Sequence, residues 1–534
     1  MRKCYKKRDL LRALESLPKT LDSTYERILL QIPHEYADDA SVVFKVLSCA
    51  SRPILLQEAA DIIAVDLASD SFDPEDRPND PSAILAICST LLSAVEASPY
   101  TLGEMRRVAD LFLGIEEDDL EIFNSSGPSL YELPYRPGAR ELNFSHLSVK
   151  EYLESDGAPP SFRITSEDAN ATMARLGLIV LVSAELSLPF ITYASKYWLH
   201  HAQKSNRQNY FDFESLAQTL FEEPNSGRLG SWMRINVQRF NPHRMMGMEV
   251  TTEVRLFYAS FLGFSSICQT FIENGANVNA VVDETFQGAL TGACLGGHKA
   301  IVELLVDQGA DPNPRPTNYT PLEAACSRGD VEIVRLLLAK TIDIDSTTLA
   351  IGLLAAVKVG ALELVQLFLD RGVEVDSVHY AGYAVNNGAS PLVAAVQSGN
   401  EQLVRLLLKH GADVNSRGDL SPLQTAVVAK DERMVQLLLE NGADVKQKDD
   451  LGDTALGDAV GVAREAESIL VLLLAHISRA DVERGFYDLA FDSACYRCPE
   501  SVLRLFEAAG FGSRVHRLRS EYRRSRWMTA TNIK

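Results

Sequence analysis

One phrase recurs through the second half of this 534-residue chain: a run of apolar residues followed by Gly-Ala-Asp or Gly-Ala-Asn. It stands at 271–277, 304–311, 406–413 and 437–444. From Gly275 to Gly309 is 34 residues, and from Gly411 to Gly442 is 31. Blurred copies at 336–343 and 367–374 lie between, and the step from Gly372 to Gly411 is 39, which predicts an inserted loop around 378–387. A period near 33 restricts the fold to an array of stacked units, none of which can bury its apolar face alone.

Each unit carries its own start and stop signals. Thr320-Pro321-Leu322, Ser390-Pro391-Leu392 and Ser421-Pro422-Leu423 open a helix, the hydroxyl capping free amides and proline suiting the first turn. Thr454-Ala455-Leu456 keeps most of this device. The small pairs Ala324-Ala325 and Ala394-Ala395 allow close packing, and Gly329 and Gly399 provide a left-handed turn into a second helix such as 331–337. Gly309, Gly411 and Gly442 then end that second helix.

These features resemble the ankyrin-repeat family over residues 253–511, about seven or eight units. The histidine usual in the family's T-P-L-H motif is replaced by Glu323, Val393, Gln424 and Gly457, which implies a lost hydrogen bond between loops and a looser stack. The units at 452–481 and 485–511 are degenerate, the last reading as a C-terminal cap.

The formal net charge of −20 repels phosphate backbones and makes nucleic acid a poor default partner. Cys4, Cys49, Cys88, Cys268, Cys294 and Cys326 are scattered beside small or apolar residues, as packed, reduced thiols are. Cys495 and Cys498 form one C-x-x-C without a second pair, which reads as two small helix positions rather than a zinc or redox site. The basic start, 1–9, precedes no apolar signal core, and the apolar stretch 176–190 contains Glu185 and falls short of the roughly 20 residues of a membrane span. A soluble chain of the cytoplasm, or else of the nucleus, is expected.

The first 160 residues read differently. Leu10, Leu11, Leu14 and Leu17 fall at helical spacing before Pro18, and Asp22 or Ser23 is expected to cap the next helix. Further helices are predicted at 39–48, 57–65 and 84–92, with a surface loop at 72–81. The segments 131–133 and 141–144 alternate like the strands of a hairpin around Pro137-Gly138, and Ser148 to Glu151 form a capping box. The whole predicts a mainly α protein: a winged-helix-like helical module with a small β-hairpin at 1–160, a helical linker at 161–252, the repeat solenoid at 253–511 and a basic tail at 512–534.

The phrases Leu17-Pro18-Lys19-Thr20-Leu21-Asp22, Tyr25-Glu26-Arg27-Ile28-Leu29 and Arg52-Pro53 resemble those of fungal NACHT–ankyrin, NLR-like proteins, as do 146–153 and 193–202. In that family they follow a nucleotide-binding domain. The G-x-x-x-x-G-K-[ST] loop of that domain is missing, since no Gly-Lys pair occurs in the sequence. Nucleotide binding therefore does not carry over. The expectation is a lost motor domain or one encoded upstream.

Sharper readings yield to plainer ones. The helix at 57–61 carries acids and no base, which opposes DNA contact. The tail with Arg514, Arg517, Arg519, Arg523, Arg524 and Arg526 reads as a solvated end, as does the acidic run 116–119. His200 and His201 are neighbours that point apart on a helix and so do not form a metal site, while His146 is expected to fix the hairpin to the following helix. No G-x-S-x-G, H-E-x-x-H or G-x-G-x-x-G occurs, so no enzyme, cofactor or metal is expected.

The loop tips recur once per unit and should line up. Arg315, Asn318, Tyr319, Arg417, Asp419, Lys448 and Asp450 are the candidate partner-binding residues, mixing both charges with one aromatic as suits a protein partner. Two functions are expected: a scaffold or adaptor gripping a protein through a concave repeat face, or the ligand-sensing part of an NLR-like signalling ATPase.

Overall fold

In a computed structural model of the chain, the described residues are 20–98, 139–183, 189–205, 207–222, 229, 232, 250–282, 288–314, 319–341, 344–376, 390–416, 420–449, 452–463 and 465–520. They form two compact units, Met1–Thr251 and Thr252–Lys534. The expected helix over 10–17, the first strand of the hairpin at 131–133, the acidic run and the inserted loop lie outside the described residues.

The first unit begins with α1 (Leu21–Leu29), whose cap is Thr20 rather than Asp22 or Ser23. The Thr20 hydroxyl accepts from the Ser23 amide at 3.1 Å, and Ser23 returns the bond to the Thr20 amide. Next come α2 (Ala37–Cys49), β1 (Ile54–Leu55), α3 (Leu56–Ile63) and a small ribbon of β2 (Val65–Asp66) with β3 (Ser71–Phe72). The predicted helix at 84–92 is divided: α4 (Ile84–Ile87) stops at Cys88, and Leu92 opens β4 (Leu92–Glu96). An apolar run of this length suits either state, and the neighbouring strand decides. That strand is β5 (Arg140–Phe144), which lies between β1 and β4 in an antiparallel sheet, with Leu142 facing both Ile54 and Ala94.

His146, not Ser148, caps α5 (Leu147–Leu153): its Nδ1 accepts from the Ser148 amide at 3.2 Å. Tyr25 reaches across from α1 to bond the Ser148 hydroxyl at 2.7 Å. The acids of α3 face inward. Glu58 accepts two bonds from Arg52, at 2.6 and 2.8 Å, and one from the Leu55 amide, while Asp61 accepts from the Phe190 amide. They pin α3 within the core instead of charging its surface.

The helices read as a linker, α6 (Ser166–Val182), α7 (Phe190–Lys204) and α8 (Arg207–Glu222), pack on one another, and α6 also lies on α2 and α7 on α3. Gly177 admits Trp198 closely, since a Cβ there would stand 2.8 Å from the tryptophan Cβ. A buried polar chain links the helices. The Ser51 amide donates to Tyr193 Oη at 2.8 Å, Tyr193 Oη bonds His201 Nε2 at 2.8 Å, and His201 Nδ1 bonds Asn170 Oδ1 at 2.8 Å. Burial, with the like charges of His200 and Lys204, holds His201 down at about 3 and keeps it neutral. His201 is a core histidine and His200 is exposed, as their opposed directions imply.

The second unit is a row of helix pairs: α9 (Thr252–Leu262) with α10 (Ser265–Glu273), α11 (Ala289–Gly296) with α12 (Lys299–Asp307), α13 (Pro321–Arg328) with α14 (Val331–Lys340), and α15 (Ser346–Lys358) with α16 (Leu362–Asp370). It continues with α17 (Pro391–Gln397) and α18 (Glu401–Lys409), α19 (Pro422–Val428) and α20 (Glu432–Glu440), and α21 (Ala455–Val462) and α22 (Glu467–His476). After the short α23 (Arg479–Glu483), the pair α24 (Asp488–Arg497) and α25 (Glu500–Phe506) closes the row.

The first helices of successive pairs pack in series from α9 to α24, and the second helices from α10 to α18 and again from α20 through α22 to α25. The spine between them is apolar and fully buried, as at Leu305, Ile333, Val334, Phe368, Leu403 and Leu407. Thr320, Ser390 and Ser421 cap their helices as expected, whereas the Thr454 side chain makes no cap bond. Gly329 and Gly399 take the left-handed turn between helices, and Lys430 occupies the same place at φ 59°.

Candidate protein-binding face of the repeat array

At several joints a residue four after the tip glycine ties one loop to the next unit. Asn279 donates Nδ2 to the Gly309 carbonyl at 2.8 Å and accepts from the Asp311 amide at 2.8 Å. Asn415 donates to the Gly442 carbonyl at 3.4 Å and accepts from the Asp444 amide at 2.7 Å. Gln447 adds a bond to the Asn415 carbonyl at 3.0 Å. Lys446 holds the equivalent place one unit later and pairs with Asp481 at 2.8 Å. A side-chain amide both donates and accepts, so it can serve a carbonyl and an N–H of the next loop together. The signal lies in the sequence two residues beyond the recurring phrase, as Asn after Gly-Ala-Asn-Val at 279 and after Gly-Ala-Asp-Val at 415.

The substitution of the family histidine does not uniformly loosen the stack. Gln424, in one of those positions, donates Nε2 toward Asp458 Oδ2 at 3.1 Å, Asp449 Oδ2 at 3.3 Å and the Asp453 carbonyl at 3.4 Å, all in the following unit. Its Oε1 accepts from the Ser421 amide at 3.2 Å, completing a capping box. The amide thus replaces the imidazole as a bridge. Burial raises the Asp458 carboxyl to about 6, the bond from Gln424 opposing and the charges of Asp449 and Asp453 adding to the rise.

Glu323, in another histidine position, is buried on α13. Burial pushes its carboxyl up to about 7, and a bond at Thr320 and the Lys358 ammonium on α15 pull it back only in part.

Of the predicted tip residues, Arg315, Asn318, Arg417, Asp419 and Asp450 lie outside the described residues. Tyr319 is half-buried and donates its hydroxyl to Ser327 Oγ at 3.1 Å within its own unit. Lys448 is exposed, with Nζ 5.1 Å from the centre of the Phe486 ring, and its backbone bridges to Thr454. Phe486, 39 % exposed, is an aromatic tip residue that the sequence reading missed because it lies in the degenerate last unit. Among the described residues no His, Cys, Asp or Glu cluster is arranged to hold a metal ion, and no helix is long and apolar enough to cross a membrane. Cys495 and Cys498 are thiols, not joined in a disulfide, that donate to the carbonyls of Val515 and Val460.

Residues 256–348 and 353–449 match the family profile described as ankyrin repeats in three copies. The chain is 30 % identical over 330 residues to the azaphilone pigments biosynthesis cluster protein L of Monascus ruber, covering 56 % of this chain and 61 % of that relative. It is 29 % identical over 145 residues to vegetative incompatibility protein HET-E-1 of Podospora anserina, covering 26 % of this chain and 10 % of that one. The chain therefore spans less than two thirds of the length of either relative.

Two solved structures also resemble it. The human ASB11 ankyrin repeat domain shares 30 % identity over 41 % of this chain and 96 % of that one, with a TM-score of 0.36. The ankyrin repeat domain of Bcl-3, described as a unique member of the IkappaB protein family, shares 28 % over 40 % and 96 %, with a TM-score of 0.33.

The profile match and the serial helix pairs make the C-terminal unit an ankyrin-repeat solenoid within a mainly helical protein. Such an array is an architecture for protein–protein interaction, and a protein is the class of partner it implies.

Proposed function

We propose that this chain is an intracellular scaffold or adaptor that holds a protein through the loop tips and first helices of its repeats, the row that forms the concave face of such solenoids. The observation that carries this reading is the set of side-chain ties made by Asn279, Asn415 and Lys446, each of which joins its own loop to the following unit. A row of pre-positioned tips binds without the entropy cost of ordering separate loops. Tyr319, Lys448 and Phe486 are the tip residues with the mixed character that suits a protein surface. The test is affinity capture with the full chain, followed by Lys448→Glu and Phe486→Ser. These should lose the captured protein while Arg335→Ala, on the second helices, retains it. Equal capture by all three variants would end the proposal.

A second reading is favoured by the alignment with HET-E-1 together with the phrases at 17–29 and 146–153. In it the chain is the ligand-sensing part of an NLR-like ATPase. The sheet of β1, β5 and β4 with α2, α3 and α5 then acts as a winged-helix-like relay. An in-frame P-loop in the transcript upstream of Met1 would support it, and an upstream stop codon in every transcript would remove it.

A further inference from the structure

Beyond the closing pair the chain adds one more helix, at 512–520. Residues 441–454, tip included, join α20 to the next first helix α21, whereas only 507–511 join α25 to this one. The tip is gone, and Gly510 turns the chain at φ 89°. Arg514, near the start of the helix, pairs with Asp488 at the start of α24. Arg519, near its end, donates to both carboxylate oxygens of Glu500, just past the end of α24, at 2.8 and 3.2 Å. The helix therefore runs beside α24 in the same direction, where the first helix of another unit would lie.

Its two sides differ. Phe511, at its entry, and Val515 are buried; the Phe511 ring meets that of Phe491 at 5.9 Å, and the Val515 carbonyl accepts from the Cys495 thiol at 4.0 Å. Ser513, His516, Arg517 and Ser520 are exposed. First helices inside the row are not one-sided in this way, since 391–396 of α17 and 422–427 of α19 are buried throughout. A polar outer side is what ends a solenoid. The closure is imperfect, however. Arg514 Nε is buried with no acceptor, and an unserved buried donor weakens the contact that encloses it. The Asp488 and Glu500 side chains are 44 % and 56 % exposed, and ion pairs at such a rim are weak and screened by salt.

The helix thus covers a strip of α24 from Phe491 to Cys495, with a carboxylate at each end. The chemistry that fits this strip is a basic amphipathic helix with two cations at the spacing of Arg514 and Arg519 and apolar residues between them. We propose that this end of the array is a receptor for such a helix, filled by the chain's own residues 512–520, which act as an autoinhibitory lid. The site is separate from the row of loop tips, and any other ligand of this class has to displace the lid to enter it.

The experiment is iodoacetamide labelling of the full chain, read cysteine by cysteine by mass spectrometry. Arg514→Glu together with Arg519→Glu should open the lid and speed labelling of Cys495 roughly 3- to 30-fold, while Cys294 and Cys326 keep their rates because the array stays folded. Arg519 pulls the Cys495 thiol down, so its loss alone would slow labelling, and a faster rate reports uncovering. An excess of a synthetic peptide of residues 508–520 should slow labelling of this variant again, and the same peptide carrying both Arg→Glu changes should not. Adding Asp488→Arg and Glu500→Arg to the variant should restore protection within the chain. An unchanged Cys495 rate in the folded arginine variant overturns the lid. A raised rate that the unaltered peptide does not lower overturns the receptor.

Discussion

Glu323 and Lys430 show how far a single side chain can depart from what its position prefers. Glu323 has an ordinary pKa of 4.5 when unfolded and about 7 when folded, because burial penalises its charge. Its folded value is raised, so the stability it contributes is fully present below about pH 4.5 and is lost as pH rises through 7. Glu323→Gln should therefore stabilise the array above pH 8 by at most about 3 kcal/mol and have little effect at pH 4.5. Urea midpoints at both pH values decide this, and a difference that fails to widen with pH would refute it. Lys430, at φ 59°, occupies the turn that Gly329 and Gly399 fill elsewhere. Relative to Lys430→Ala, which removes the pairing with Glu465 equally, Lys430→Gly should raise stability by about 0.5–1 kcal/mol, since glycine adopts this conformation without the clash of a Cβ. A melting temperature below that of the alanine variant would show that the turn carries no strain. The left-handed glycines were legible because glycine has few other reasons to recur every 33 or so residues. The bridge made by Gln424 was not, because its partners Asp449, Asp453 and Asp458 are brought near only by stacking.

The helices of the array were legible as elements because cap, apolar run and glycine agree within each unit. The strands of the first unit were not. Alternation in 140–144 says which face of a strand is buried but not which strand it meets, and β5 pairs with β1 and β4, far upstream. Helix starts were misplaced by one to three residues where several capping residue types stand together, as at Thr20, Asp22 and Ser23. Element α3 is held by charge as well as by apolar contact. Arg52 is bound to Glu58 by two bonds and lies 4.9 Å from the centre of the Tyr193 ring. Arg52→Ala leaves the Glu58 carboxylate buried without its partner and should cost about 3–5 kcal/mol. Thermal unfolding of the first unit would measure it, and a loss under 1 kcal/mol would mean that water or another cation replaces the guanidinium. The helix contact at Gly177 is similarly tight, and Gly177→Ala should cost about 1–3 kcal/mol by overpacking against Trp198.

For the whole molecule, the period of the sequence determined the architecture of one unit, while no comparable regularity exists in the other. The tip residues that would complete the binding row fall in segments where spacing varies, and spacing is what made the rest readable. The two compact units imply that a fragment beginning at Val250 should remain helical and unfold reversibly without the first unit. Circular dichroism of that fragment tests this, and a random-coil spectrum would contradict it.

The cysteines of the array are shielded in a manner that has a chemical outcome. Cys294 and Cys326 are enclosed between first helices, and burial drives their thiols far above the usual range, while Cys495 in the closing pair is raised less. A thiol that cannot ionise does not react with iodoacetamide or peroxide until its surroundings part. The chain thus carries its own clocks: alkylation at Cys294 and Cys326 would time excursions at one end of the solenoid, and alkylation at Cys495 those at the other, with no label introduced.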